Sequence, residues 1–586
     1  MSRLTCRHSS LEFYLFKDTK VCNDSYSFKE IDMIQLHNIL KKRYSLFFLT
    51  LVIICITHKI PAVKATISLG LIPSPDIPGI PKEGDDYSKL LAYSLYFYEA
   101  QRCGFLPKNN RVSWRHNSAL DDGKDRDVNL TGGYYDAGIG SYNWGAIEWF
   151  EGYELSNQTE YLREMVKWGT DWLIAAHPKP NQLFIQVGSS HLDNTYWGPD
   201  TNIPYPRPSY EINSTLHGTD VAAEAAAAFA SSAILFRDFF NDTAYASILI
   251  SHAISVYTFA ENKTLQLSSK AIPGTFGYST STYTDKLVYA AIWLYKATNQ
   301  TQYLDKAINY YNEFQLQDSL RIMSWDDQTG ACNILLAQIY FRESSKNYTI
   351  WSGETERYLD RIMTNKSDCN FTNGGLLWCK GDSESASIPI SLYGAFGFFM
   401  YASYSSTIEK ANYYKNFASS QIDYLLGANP MKMLYVVAVH PNSPKNPHHA
   451  GAHGGTNIGN MNDPPETMHS LYGAVVGGPD MNDTYHDSRA DIVQSEVALD
   501  YNAAFQGIMA YYVINTYVPP SNRDRPIKPT NSKPKNSKPT NSNPEISNSS
   551  LSQQQKIIII IGTQDTEYEI LKNSEQENTC NTVNVE

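Results

Sequence analysis

An all-α protein of paired helices closed into a ring is the fold class this sequence predicts, and three observations carry it. Apolar residues recur with helical period in segment after segment between about residues 85 and 518. Roughly a dozen such segments follow one another, with no strand-rich region between them. Long loops rich in Gly, Pro, Asn and aromatics fall on alternate connections, so neighbouring helices pair and the pairs close on themselves. One large ring of this kind absorbs most of the 586 residues.

The elements follow in chain order. Lys41-Lys-Arg43 precedes the apolar run 44–57 and the small-residue stretch Val63-Lys-Ala65. A basic flank, a short apolar core and a cleavage site make 33–65 a signal peptide, and the run is short for a membrane span. Met33 is the start that gives this leader its normal length, so 1–32 read as an upstream extension. An uncleaved anchor is the alternative.

The segment 161–177 then puts Leu162, Met165, Val166, Gly169, Trp172 and Leu173 on one helical face. The run 220–240, almost all alanine with a few large apolar residues, reads as a helix, with Thr219 or Asp220 to cap it and Glu224 in its first turns. Further helical segments are expected at 284–297, 302–314, 329–341, 386–403, 409–426 and 496–517. Residues 519–550 are rich in Pro, Ser, Asn and Lys and form an extended linker, since they cannot bury enough apolar surface to fold. The tail 551–586, with five isoleucines at 557–561, is too small for an independent domain and receives no role.

Charge and composition exclude some functions. A net charge of −12 offers nucleic acid no attraction. The 41 Tyr and 10 Trp supply flat apolar faces that stack on sugar rings or fill a core. Asn-X-Ser/Thr sequons at Asn129, Asn157, Asn213, Asn241, Asn262, Asn299, Asn347, Asn365, Asn370 and Asn482 agree with export. Beyond the leader, cysteines occur at 103, 332, 369, 379 and 580. Cys369 and Cys379 are placed to pair in an oxidising compartment, and no zinc-like Cys/His spacing is present.

The most informative stretch is YHDSRADIVQSEVALDYNA (485–503). Asp487, Arg489, Asp491, Glu496 and Asp500 crowd one short segment that then turns apolar and helical over 498–510. A carboxyl at such a helix entry, desolvated and holding its proton, is what a general acid requires. A solvated surface loop is the other reading.

Four segments together resemble the glycoside hydrolase family 9 cellulases. They are QRCGFLPKNNRVSWR (101–115) leading to LTGGYYDAG (130–138); DVAAEAAAA (220–228); QIDYLLGANP (421–430) followed by NPHH (446–449); and LYGAVVGGPD (471–480) running into the acidic stretch. Their order is the family's order, and they span most of 85–518. The resemblance implies a six-hairpin (α/α) barrel over 85–518, with long loops forming an open cleft. It also implies endo-cleavage of β-1,4-glucan (cellulose) with inversion, which uses two carboxyl groups roughly 6.5–9.5 Å apart. Glu496 matches the family's proton donor, Asp487 its other signature acid on that segment, and His448 its sugar-binding histidine. Asp136 resembles the helper acid that also contacts the water. Trp197, Trp325 and Trp378 are expected to stack on sugar, and His449 and Tyr485 to contact substrate. The expected protein is a secreted monomer with no stable membrane association, no cofactor and no metal.

The chain also departs from the pattern. The family reads Asp-Ala-Gly-Asp where this sequence has Asp136-Ala-Gly-Ile139, and the second Asp is the usual catalytic base. The stretch that follows, Gly140-Ser-Tyr-Asn-Trp144, is shorter than the family's. Loss of activity and a mistranslated splice junction both account for this. Ala450 replaces a substrate-contacting arginine, Ile492 an aromatic residue, and Lys286 a glutamate that helps bind calcium.

Overall fold

The computed structural model describes residues 68–135, 142–262, 264–271, 280–364 and 367–516. The upstream extension, the leader, the linker and the tail lie outside them, as do Asp136 and Ile139. The described chain is helical, with two short antiparallel hairpins: β1 (Gln182–Val187) with β2 (Ser209–Asn213), and β3 (Cys369–Phe371) with β4 (Leu377–Cys379). A disulfide joins Cys369 to Cys379 across the second hairpin.

The helices in chain order begin with α1 (Asp86–Ala100), α2 (Tyr142–Glu148), α3 (Phe150–Leu155) and α4 (Thr159–Ala176). Next come α5 (Thr219–Ile234), α6 (Thr243–Ala260), α7 (Thr284–Thr298) and α8 (Thr301–Glu313). The series ends with α9 (Thr329–Arg342), α10 (Tyr348–Met363), α11 (Ser387–Ala402), α12 (Ile408–Leu425) and α13 (Leu499–Thr516). Local chemistry sets several of the starts. Asp85, Asp242 and Thr407 each accept a main-chain N–H three residues on, satisfying donors that the first turn leaves free.

Contacts between helices close a ring. Helix α2 packs on α5, α5 on α7, α7 on α9, α9 on α11 and α11 on α13, and α13 returns to α2. The other long helices pack on this ring from outside: α1 on α13, α4 and α6 on α5, α8 on α7, α10 on α9 and α12 on α11. With α2 and α3 counted as one broken helix, inner and outer helices alternate along the described chain and form six hairpins, the expected (α/α) barrel.

Sequence chemistry separates the two layers. Most outer helices bury one stripe, as in α8, where Tyr303, Leu304, Ala307 and Tyr311 face inward, while α1 is buried over 13 of its 15 residues. Inner helices are apolar nearly all round, and every residue of α11 is buried. The ring closes where α2 and α13 meet through small residues. A Cβ added at Gly145 would come within 3.0 Å of the Gly507 Cα, so only two glycines permit this approach.

The alternation has a consequence for function. All inner helices run in one direction, so their N-termini share one end of the barrel. Segment 136–141 directly precedes α2, Glu496 nearly abuts α13, and these two helices are ring neighbours.

Candidate active site

Glu496 is held at that end by its backbone. Residues 448 and 496 form a parallel bridge, and 476 pairs with 497. His448 N donates to Ser495 O at 2.7 Å, and Gly477 N donates to Glu496 O at 3.0 Å. The carboxyl itself is half-buried, and its Oε2 accepts the Tyr501 hydroxyl at 2.8 Å. Tyr501 lies in the first turn of α13, so the helix fixes the rotamer of the acid that precedes it.

His448 stands beside Glu496 with its ring oriented. Nδ1 lies 2.6 Å from the Arg489 carbonyl, which can only accept, so Nδ1 carries a proton and donates it there. Trp197 packs on the imidazole at 5.0 Å between ring centroids and donates its indole N–H to His453 Nδ1 at 2.8 Å.

Asp487 serves the loop that carries His448. Its carboxylate accepts the main-chain N–H of Lys445 at 2.9 Å and that of Asn446 at 2.9 Å. Arg489 clips the same region, donating to Asn446 Oδ1, Thr467 Oγ1 and the Met461 carbonyl. Here Asp487 is a positioning carboxylate.

His449 is committed on both nitrogens. Nδ1 accepts the Ala452 N–H at 2.9 Å and caps the short helix Ala450–His453, while Nε2 meets Gln101 Oε1 at 3.0 Å. Burial, with Arg115 and His448 nearby, pushes this imidazole down to about 3, so it is neutral. The main-chain carbonyl of Gln101 also accepts the N–H of Tyr135, the residue just before Asp136 in sequence.

Several expected substrate contacts are placed differently. Trp197 is 5% exposed and Trp378 7%, so neither presents a broad face for a sugar ring. Trp197 is covered by His448 and His453, and Trp378 sits in strand β4. Tyr485 is also buried, with its hydroxyl 3.3 Å from Ser495 Oγ and its ring edge-on to Tyr435. Trp325 remains half-buried, just ahead of α9 at the same barrel end. Asp136 lies outside the described residues. Tyr501, Gln101 and Trp114, which meets His449 edge-on and stacks on His469, join the site without an individual mark in the sequence. All three lie inside quoted motifs, the only signal that marked them.

Comparison with known proteins agrees with this geometry. The model of glycosyl hydrolase family 9 matches residues 87–509. Endoglucanase A of Bacillus pumilus is 39% identical over 455 residues, covering 73% of this chain and 66% of that protein. The chain thus spans just under two thirds of that relative's length. The solved endoglucanase of the termite Nasutitermes takasagoensis superposes with a TM-score of 0.68 at 35% identity, over 74% of this chain and 100% of that one. Endoglucanase CelQ of Clostridium thermocellum, solved with cellotetraose, superposes with a TM-score of 0.65 at 30% identity, over 76% and 73% of the two chains. Barrel, motif order and these likenesses converge: the chain belongs to glycosyl hydrolase family 9.

Proposed function

We propose that this protein is a secreted endo-β-1,4-glucanase that cleaves cellulose-type chains with inversion. The observation that carries the reading is Glu496, held by the bridge to His448 and oriented by Tyr501 at the barrel end that holds the N-termini of the inner helices. In the proposed step Glu496 gives its proton to the glycosidic oxygen as the C1–O bond breaks. A water attacks C1 from the opposite face, and its proton passes to a carboxylate, for which Asp136 is the candidate in a motif that has Ile139 at the usual base position. His448 Nε2 and Trp325 are assigned to hold the glucan. The cellotetraose bound to CelQ supports a β-glucan ligand.

Secretion is supported by the exposed sequon asparagines, among them Asn129, Asn241, Asn299 and Asn482, and by the Cys369–Cys379 disulfide. Ile139 favours a second reading, a glucan-binding homologue with impaired turnover. Proton NMR of cellohexaose during the first minutes of cleavage separates the two. Early α-anomer supports the inverting enzyme, early β-anomer contradicts inversion, and binding without cleavage supports the second reading.

A further inference from the structure

Across the ring from Glu496, the first turn of α7 buries a lysine. Lys286 is fully enclosed, its Nζ 3.0 Å from Asp285 Oδ2 and 3.9 Å from Asp326 Oδ1, and it donates to the Asp326 carbonyl. Glu224, on neighbouring α5, adds a further carboxyl to its field. Burial works to strip the proton from Lys286, but Asp285 and Glu224 outweigh it and hold the ammonium above its ordinary range. Loss of water around Glu224 pushes that carboxyl up to about 7.

A lysine at such a depth needs a reason, because desolvating an ammonium costs several kcal/mol and an aliphatic side chain would fill the space. Its partners supply one. Asp285 Oδ2 also accepts the Gln328 N–H at 2.7 Å. Asp326 Oδ1 accepts Ser281 N and Thr280 Oγ1, each at 2.7 Å. Its Oδ2 takes Arg321, which also bonds Asp382 at 2.6 Å. Ser324 N closes the turn onto the Asp327 carbonyl at 2.9 Å. Lys286 therefore pulls on residue 326 of a turn whose residue 325 is the tryptophan left half-buried at the cleft end.

We infer that Lys286 is a positioning residue for substrate binding: its buried ammonium anchors the 324–328 turn and so sets the face that Trp325 offers to the glucan. This rests on the assignment of Trp325 as a glucan contact. The test is a double-mutant cycle on the full-length protein with cellohexaose, using Lys286→Met, Trp325→Ala and the double variant. Lys286→Met is expected to raise KM about three- to tenfold with kcat within about twofold, as is Trp325→Ala. The double variant is expected to be no worse than Trp325→Ala alone, because both act through one ring. Multiplying KM effects, or an unchanged KM for Lys286→Met, overturn the role of Lys286 while leaving that of Trp325. An unchanged KM for Trp325→Ala overturns the stacking assignment and the inference together. If Lys286→Met does not fold, Lys286→Gln, which keeps a donor but removes the charge, replaces it in the cycle with the same outcomes.

Discussion

Gly477 offers a way to move Glu496, the proposed acid, without touching it. Its N–H donates to the Glu496 carbonyl, and a Cβ built on it would lie 1.9 Å from the Val493 carbonyl oxygen. A Cβ essentially never comes within 3.0 Å of another heavy atom, so Gly477→Ala forces the 493–497 segment away by about 1 Å. Misplacing a reacting group by about 1 Å costs on the order of 10²-fold in rate. Over-packing against backbone also destabilises by about 1–3 kcal/mol, which leaves a well-packed barrel folded. The assay is kcat on soluble cellulose alongside circular dichroism and thermal melting, with Gly353→Ala as the control. Gly353 lies inside α10, and a Cβ there meets nothing within 4 Å. It should keep full activity and gain about 0.5–1 kcal/mol from reduced chain entropy. A folded Gly477→Ala enzyme with kcat within twofold of the parent would refute the claim that this contact sets the position of Glu496.

Three further predictions concern the site. Asp487→Ala frees the Lys445 and Asn446 amides and should lower kcat/KM on the order of tenfold or more; Asp487→Asn, which keeps one acceptor, should fall between it and the parent. His449 stays neutral in the fold while the unfolded chain takes up a proton below about pH 6.5, so its contribution to stability is lost as pH falls from there toward 3. Glu224 and Asp327, raised by burial to about 7 and about 6, act in the opposite sense, losing their contribution as pH rises through those values. The effect of His449 therefore appears as a signed difference: between pH 4.5 and 6 the change in denaturation midpoint per unit rise in pH should be less positive (or more negative) for His449→Gln than for the parent, and equal slopes would contradict the assignment. Tyr501→Phe removes the hydroxyl that orients Glu496 and should lower kcat more than it changes KM; a change confined to KM would argue against that role.

Much of this architecture is visible in the sequence because each layer has its own pattern. The stripe of 161–177 appears as α4, with Leu162, Met165, Val166 and Leu173 buried, and the alanine run appears as inner helix α5. Helix α6 has no separate mark in the sequence: apolar residues such as Ile248 also stand on its exposed side, which blurs the period, and only its Asp242 cap marks the start. The site was legible as motifs but not as contacts. Gln101 and His449 meet across 348 residues, a distance no local period encodes. Trp197 and Trp378 lie deeper than their sequence context suggests, for a related reason. Gly, Asp and Asn beside a tryptophan mark a position outside the helices but not its depth, and both of these rings are buried.

The central claim is that Glu496 drives glucan cleavage, and the most direct measurement compares the parent with Glu496→Gln. The readout is the rate of viscosity loss of soluble cellulose, taken with the transcript confirmed across 138–144. The expected result is a parent rate about 10²–10⁴ times that of the variant, with identical circular dichroism. Equal rates in two equally folded proteins would contradict it.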